Sequence, residues 1–120
     1  MTGPLREHGA LARGAFAVAV LVSLAVLFAP PSDVPSSPPG VDKVVHLGLF
    51  ALLALTGRWA GVGWRPLAVV LVAYAAVSEV LQGTDLVDRD ASVADLLADS
   101  AGVAVGLLLW HLLAGRRGSR

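Results

Sequence analysis

Four long apolar runs follow one another along the chain, and polar segments separate them. The first run covers residues 14–32, the second begins near Asp42 and ends near residue 61, the third covers about 66–83, and the fourth covers about 93–114. About 20 helical residues cross a bilayer core about 30 Å thick, so each run has a suitable length. The pattern predicts an all-α membrane protein, a bundle of four transmembrane helices.

Residues at the ends of these runs carry helix start and stop signals. The segment 30–42, PPSDVPSSPPGVD, cannot be helical throughout because proline lacks a backbone donor and blocks the α region before it. Asp42 is suited to the N-cap or the first turn of the second helix, and Pro66 to the first turn of the third. Ser92 followed by Asp95 has the form of a capping box before the fourth run.

The first run has features of a signal peptide, since Arg6 and Arg13 precede it. However, we find no small-residue cleavage motif after it, and Pro30 and Pro31 stand where cleavage would occur. We therefore expect an uncleaved helix.

The distribution of positive charge predicts the orientation. With four crossings, only Lys43 and Arg89 lie on one side of the membrane. The other side carries Arg6, Arg13, Arg58, Arg65, Arg116, Arg117 and Arg120. The positive-inside rule then places both termini in the cytoplasm of a bacterial cell. The expected organisation is a cytoplasmic segment 1–13, a transmembrane domain 14–114 and a basic cytoplasmic tail 115–120.

Composition agrees with a multi-pass protein of the plasma membrane. Hydrophobic residues make up 56% of the chain and charged residues 15%, against about 25% charged in soluble domains. The net charge is zero and no basic face with stacking aromatics is evident, so we expect no nucleic-acid partner. The lipid bilayer is the expected partner, and oligomers are possible. Without cysteine, thiolate chemistry is excluded.

Polar residues inside the apolar runs fall at similar depths. At 1.5 Å per residue, His46, Glu79 and Asp99 lie roughly 18, 21 and 26 Å above the nearest cytoplasmic arginine of their helices, in the outer half of the core. Carboxylates facing lipid are costly, so we expect these side chains to face one another. Each belongs to a helical pair on one face: Asp42 with His46, Glu79 with Gln82, and Asp95 with Asp99.

The cluster would lie near the two outer cations, Lys43 and Arg89, which are natural partners for its carboxylates. Small residues spaced by four, Ala98, Gly102 and Gly106, predict a face on the fourth helix where a neighbour packs closely.

These residues resemble the VanZ-like membrane protein family. The resemblance is carried by DKVVHLGLF at 42–50, by SEVLQ at 78–82, and by Arg89, Ser92, Asp95 and the glycines of the fourth helix. The ordered set covers residues 42–106, over half of the chain. One departure is Asp99, where the family usually has asparagine. The resemblance implies a cell-envelope membrane protein, in a family named for a factor associated with teicoplanin resistance.

Two functional hypotheses use the predicted cluster. In the first, the protein binds a lipid-linked precursor, an anionic head group or a glycopeptide-like ligand. The residues that would form this binding site are Lys43, Arg89, Gln82, Asp95, Asp99 and Asp42. In the second, the protein is an enzyme in which Glu79 and His46 perform acid–base catalysis on an envelope precursor.

Two further interpretations remain open. His46, Glu79 and Asp99 are metal-ligand types, but no helix carries an H-x-x-x-H or E-x-x-H pair, so we expect no metal and no cofactor. The polar residues could also serve only as helix caps and ion pairs, with Ser92, Asp95 and Asp42 as the simplest cases.

Overall fold

The computed structural model describes residues 9–28, 41–82 and 93–117, with the side chains of 41, 42, 82 and 115–117 left out. All regular structure in these ranges is helical, which confirms the all-α prediction. The four helices are α1 (Ala10–Leu27), α2 (Val41–Trp59), α3 (Trp64–Gln82) and α4 (Val93–Arg117).

Helix boundaries differ from the predicted ones by a few residues. α1 begins four residues before the predicted start and ends at Leu27, well before the prolines at 30 and 31. α3 begins at Trp64, because Pro66 occupies the first turn, where a backbone N–H has no helical acceptor. α4 continues three residues beyond the predicted end at Ala114.

Three of the four helices are long and apolar enough to cross a membrane: α1, residues 64–81 of α3, and residues 93–114 of α4. α2 differs because Asp42, Lys43 and Arg58 stand near its ends and leave an uncharged stretch of residues 44–57. The protein is therefore a helical membrane protein with three candidate spans, and the crossing by α2 stays a prediction.

Neighbouring helices along the chain run in opposite directions. α2 and α4 are parallel, since Lys43 contacts Asp95 near their first turns and Gly102 contacts the backbone of Leu47 further along. α1 and α3 run the other way. Ser23 of α1 is hydrogen-bonded to Tyr74 of α3, with 2.8 Å between the two hydroxyl oxygens. This up-down arrangement places the C-terminal end of α3 beside the N-terminal ends of α2 and α4.

The turn between α2 and α3 has the geometry of a Schellman motif. Gly61 has a φ of 104°, a left-handed conformation that glycine adopts without steric cost. The N–H of Val62 donates to the carbonyl of Gly57, and that of Gly61 to the carbonyl of Arg58, each at 3.0 Å. The Arg58 guanidinium also donates to the Val62 carbonyl at 2.8 Å. These bonds hold α2 and α3 antiparallel.

Small residues let α4 pack directly on the backbone of α2. A Cβ built on Gly102 would clash with the carbonyl oxygen of Leu47, and one built on Gly106 with that of Ala51. This confirms the predicted small-residue face at its two glycines. Of all helix pairs, α2 and α4 have the most extensive contact, and α2 also packs against α1 and α3. The helix that is not among the candidate spans is thus the central one.

Apolar side chains fill the centre of the bundle and also cover its outside. Phe50 and Leu53 of α2 are fully buried, and Leu67 and Leu71 of α3 are nearly so. Large apolar residues also point outward on every helix, as Leu21, Val44, Val69 and Leu97 do. An exposed apolar surface of this extent fits a helix bundle in contact with lipid.

Candidate functional site

His46 and Asp99 form a buried pair between α2 and α4. The Nδ1 atom of His46 lies 2.7 Å from Oδ1 of Asp99, a hydrogen-bond distance. His46 is 2% exposed and Asp99 is 0% exposed. The pair forms because α2 and α4 are parallel and the nearby glycines let their backbones approach.

Glu79 of α3 lies beside the pair of His46 and Asp99. Its carboxylate, one oxygen of Asp99 and one ring nitrogen of His46 all lie within 4.8 Å of one another. Glu79 is 6% exposed. Since α3 is antiparallel to α2 and α4, its C-terminal turns meet their N-terminal turns at the same level. The structure thus confirms the prediction that these three side chains face one another.

Lys43 and Asp95 lie one helical turn nearer the end of the bundle. Their Nζ and Oδ1 atoms are 2.6 Å apart. The Lys43 side chain is 38% exposed and that of Asp95 is 10% exposed, so this ion pair stands at the border between the interior and the surroundings. The other Asp95 oxygen, Oδ2, is 4.0 Å from Nε2 of His46. The ion pair therefore lies directly beside the buried histidine.

Together these five side chains form the polar cluster of the bundle: Lys43, His46, Glu79, Asp95 and Asp99. Carboxylates outnumber cationic groups in it, with three acids against one lysine and one histidine. Asp99 is the most deeply placed of them, and its Oδ2 atom is buried with no hydrogen-bond acceptor or donor partner among the described residues. An ionised oxygen in that position is expensive unless a cation or a proton compensates it.

Sequence reasoning expected Asp95 and Asp99 to orient the two outer cations. Asp95 contacts Lys43, and Asp99 contacts His46. Asp99 meets the imidazole because it lies one turn further into the bundle than Asp95. The expected contact with Arg89 stays a prediction, since Arg89 is outside the described residues. The remaining predicted binding residues lie outside the described part, namely Arg89 and the side chains of Asp42 and Gln82. Ser92, which is predicted to cap α4, lies outside it too.

A second polar contact was not predicted from sequence. Ser23 of α1 is fully buried, and its hydroxyl bonds Tyr74 of α3 and the Val20 carbonyl, the latter at 2.7 Å. The Tyr74 ring also packs on Phe50, with 5.6 Å between ring centroids. Tyr74 is the one tyrosine of the chain and lies within an apolar run. A polar ring in that position was the sequence feature that could have indicated this contact. This contact ties α1 to the helices that carry the cluster.

The cluster offers several kinds of chemistry. A carboxylate that bonds Nδ1 fixes the orientation and tautomer of an imidazole, as in general-base and metal sites. Carboxylates accept hydrogen bonds from hydroxyl and amide groups, and the half-exposed lysine can pair with an anionic group. A ligand would approach from the end of the bundle where Lys43 is exposed.

Comparisons with protein-family models, with curated proteins and with solved structures match nothing.

Proposed function

We propose that this chain is a VanZ-like integral membrane protein with four crossings whose polar cluster faces outward and binds an anionic lipid-linked or glycopeptide-related ligand in the cell envelope. The observation that carries the proposal is a polar cluster at one end of an otherwise apolar bundle, bordered by the half-exposed Lys43. Lys43 contacts the anionic group. The carboxylates accept hydrogen bonds from sugar hydroxyls and peptide amides of the ligand.

The up-down arrangement supports a crossing by α2. α2 is parallel to α4 and packs along it from Lys43 to Ala54. The two helices therefore lie at the same depth in the membrane. The cytoplasmic side is then the turn at Gly61, which carries Arg58 and Arg65 beside it.

Cysteine labelling tests this topology, and the cysteine-free natural chain is the matched control. Single cysteines at Ser36, Gly63 and Thr84 are exposed to a membrane-impermeant maleimide in intact cells. Ser36→Cys and Thr84→Cys should react, whereas Gly63→Cys should react only after permeabilisation. If Ser36→Cys and Gly63→Cys behave alike, α2 does not cross and the topology is wrong.

Ligand binding is tested with a long-chain polyprenyl phosphate and with the neutral polyprenol of the same length. Native mass spectrometry of the purified protein should show tighter binding of the phosphate. Lys43→Gln should weaken phosphate binding about tenfold, because a charge-assisted hydrogen bond contributes about 1.5–3 kcal/mol. Val44→Ala is the matched control, since Val44 is adjacent in sequence and 71% exposed. Equal affinity for both lipids would contradict the proposal.

The resistance role is tested separately in a susceptible bacterium. Cells that express the natural chain should tolerate more teicoplanin than cells with an empty vector, with no change for an antibiotic of another class. Glu79→Ala should abolish the difference, and the neighbouring Val80→Ala should keep it, because Val80 is 67% exposed. Equal susceptibility of all strains, including the one with the empty vector, would contradict a role in teicoplanin resistance.

A second candidate function is acid–base catalysis on an envelope precursor, and the hydrogen bond between His46 and Asp99 favours it. Asp99 orients the imidazole so that His46 accepts a proton from water or a substrate hydroxyl, and Glu79 delivers a proton to the leaving group. Polyprenyl pyrophosphate is a suitable probe, with released phosphate as the readout. Glu79→Gln should abolish release and retain binding of the lipid. Turnover that survives this change would exclude Glu79 as the catalytic acid.

A further inference from the structure

We propose that His46, Glu79 and Asp99 form a binding site for one divalent transition-metal ion. The site uses three side chains of the polar cluster but not Lys43, so metal binding and head-group binding can be tested separately. Sequence spacing did not point to it, since each ligand comes from a different helix: α2, α3 and α4.

The distances among the three donors suit a common ion. Ligand atoms at about 2.0–2.2 Å from a metal ion lie roughly 3–4 Å from one another. The three donor atoms here lie within 4.8 Å of one another, so a small adjustment of the side chains brings them to a single ion. The 2.7 Å contact between His46 and Asp99 indicates a shared proton, which an ion bound by the same groups would displace.

Burial and charge favour a cation at this place. All three side chains are buried, and Glu79 and Asp99 together carry two negative charges when ionised. A neutral imidazole and two carboxylates carry a total charge of −2, which a divalent ion neutralises.

The second oxygen of Asp99 is an independent indication of a ligand. Asp99 is 0% exposed, and its Oδ2 has no hydrogen-bond partner among the described residues, although Oδ1 of the same carboxylate contacts His46. Buried carboxylate oxygens are almost always satisfied by a donor or a metal ion. Close packing of Gly102 on α2, one turn further along α4, holds Asp99 in this position.

The donor set selects the type of ion. Imidazole favours zinc and other transition metals over magnesium and calcium, whereas carboxylates bind both groups. The mixed set of one nitrogen and two oxygen donors therefore predicts Zn²⁺ as the tightest of the common probes, followed by Mn²⁺, with Mg²⁺ and Ca²⁺ much weaker.

Calorimetry with Zn²⁺ on the purified full chain, without an affinity tag, tests the proposal. The natural protein should bind one Zn²⁺ per chain and release protons to the buffer. Asp99→Asn, Glu79→Gln and His46→Gln should each raise the Kd for Zn²⁺ at least about tenfold. Asp95→Asn is the matched control, because Asp95 is an acid of the same helix and cluster outside the three donors, and its Kd should change less than about threefold. Circular dichroism and size-exclusion chromatography establish that each variant is folded.

Stoichiometric binding of Zn²⁺ is measured on the natural protein, so this part of the test does not depend on whether the variants fold. Absence of stoichiometric Zn²⁺ binding to the folded natural chain would overturn the site and show that protons compensate the buried acids. An equal loss in Asp95→Asn would overturn the assignment of the three donors in favour of a nonspecific acidic cluster. Polyprenyl phosphate binding, measured with and without a chelator, reports on the head-group proposal separately.

Discussion

α1 and α2 differ in opposite ways in their apolar content and in how much they pack against other helices. α1 is the most hydrophobic of the candidate spans, with a mean hydropathy of 2.2, yet residues such as Val18 and Leu21 point outward from it. α2 is not among the candidate spans by composition, but it packs against all three other helices. Lipid accepts only apolar surface, whereas a central helix can bury polar groups against partners.

The contact between α2 and α4 should be the most sensitive of all to substitution. Gly102→Val should destabilise the protein by about 3 kcal/mol or more, because the added carbons meet backbone atoms of Leu47 that cannot move aside. Gly48→Ala is the matched control on α2, since nothing lies within 4 Å of a Cβ at that position. Thermal unfolding in detergent, followed by size-exclusion chromatography, measures both variants. A Gly102→Val protein as stable as the natural chain would contradict the described packing.

The buried pair should give the next largest effect. Asp99→Leu should destabilise by about 1–3 kcal/mol, since it leaves the buried His46 without its hydrogen-bond partner. The double variant with His46→Leu should recover part of this loss. Unfolding of the two single variants and the double variant gives the coupling energy, expected at about 0.5–3 kcal/mol. Additive effects would mean that the two side chains do not interact.

On α1, the polar contact should matter more than the outward apolar face. Ser23→Ala should cost about 1 kcal/mol because the buried hydroxyl bonds Tyr74 of α3. Leu21→Ala should cost less, about 0.5 kcal/mol, because Leu21 is 65% exposed. The order of the two unfolding temperatures checks this, and the reverse order would place Leu21 in an interface.

The ion pair at the border should contribute least to stability. Lys43→Met should change the free energy of unfolding by at most about 1 kcal/mol, because the partly exposed lysine keeps much of its interaction with solvent. Chemical unfolding of this variant beside Val44→Ala measures the difference. A loss as large as that of Asp99→Leu would show that the pair is part of the buried core.

Much of the fold could be predicted from apolar run lengths and helix signals. The four runs gave the number of helices, and proline and glycine marked their ends to within a few residues. The common depth of His46, Glu79 and Asp99 followed from counting residues along each helix. The partner of each acid could not be predicted in this way, because depth alone does not distinguish Lys43 from His46 as a neighbour of Asp99.

Helix length and periodicity are local properties of the chain, so the helices and their apolar surfaces could be predicted from sequence alone. The small-residue face of α4 could be predicted in the same way. Helix packing, by contrast, sets the central position of α2 and the contacts of Asp99 with His46 and of Asp95 with Lys43. Those contacts depend on the rotation and vertical offset of each helix against its neighbours. Close packing of Gly102 and Gly106 against the α2 backbone sets both quantities, and no single helix contains that information.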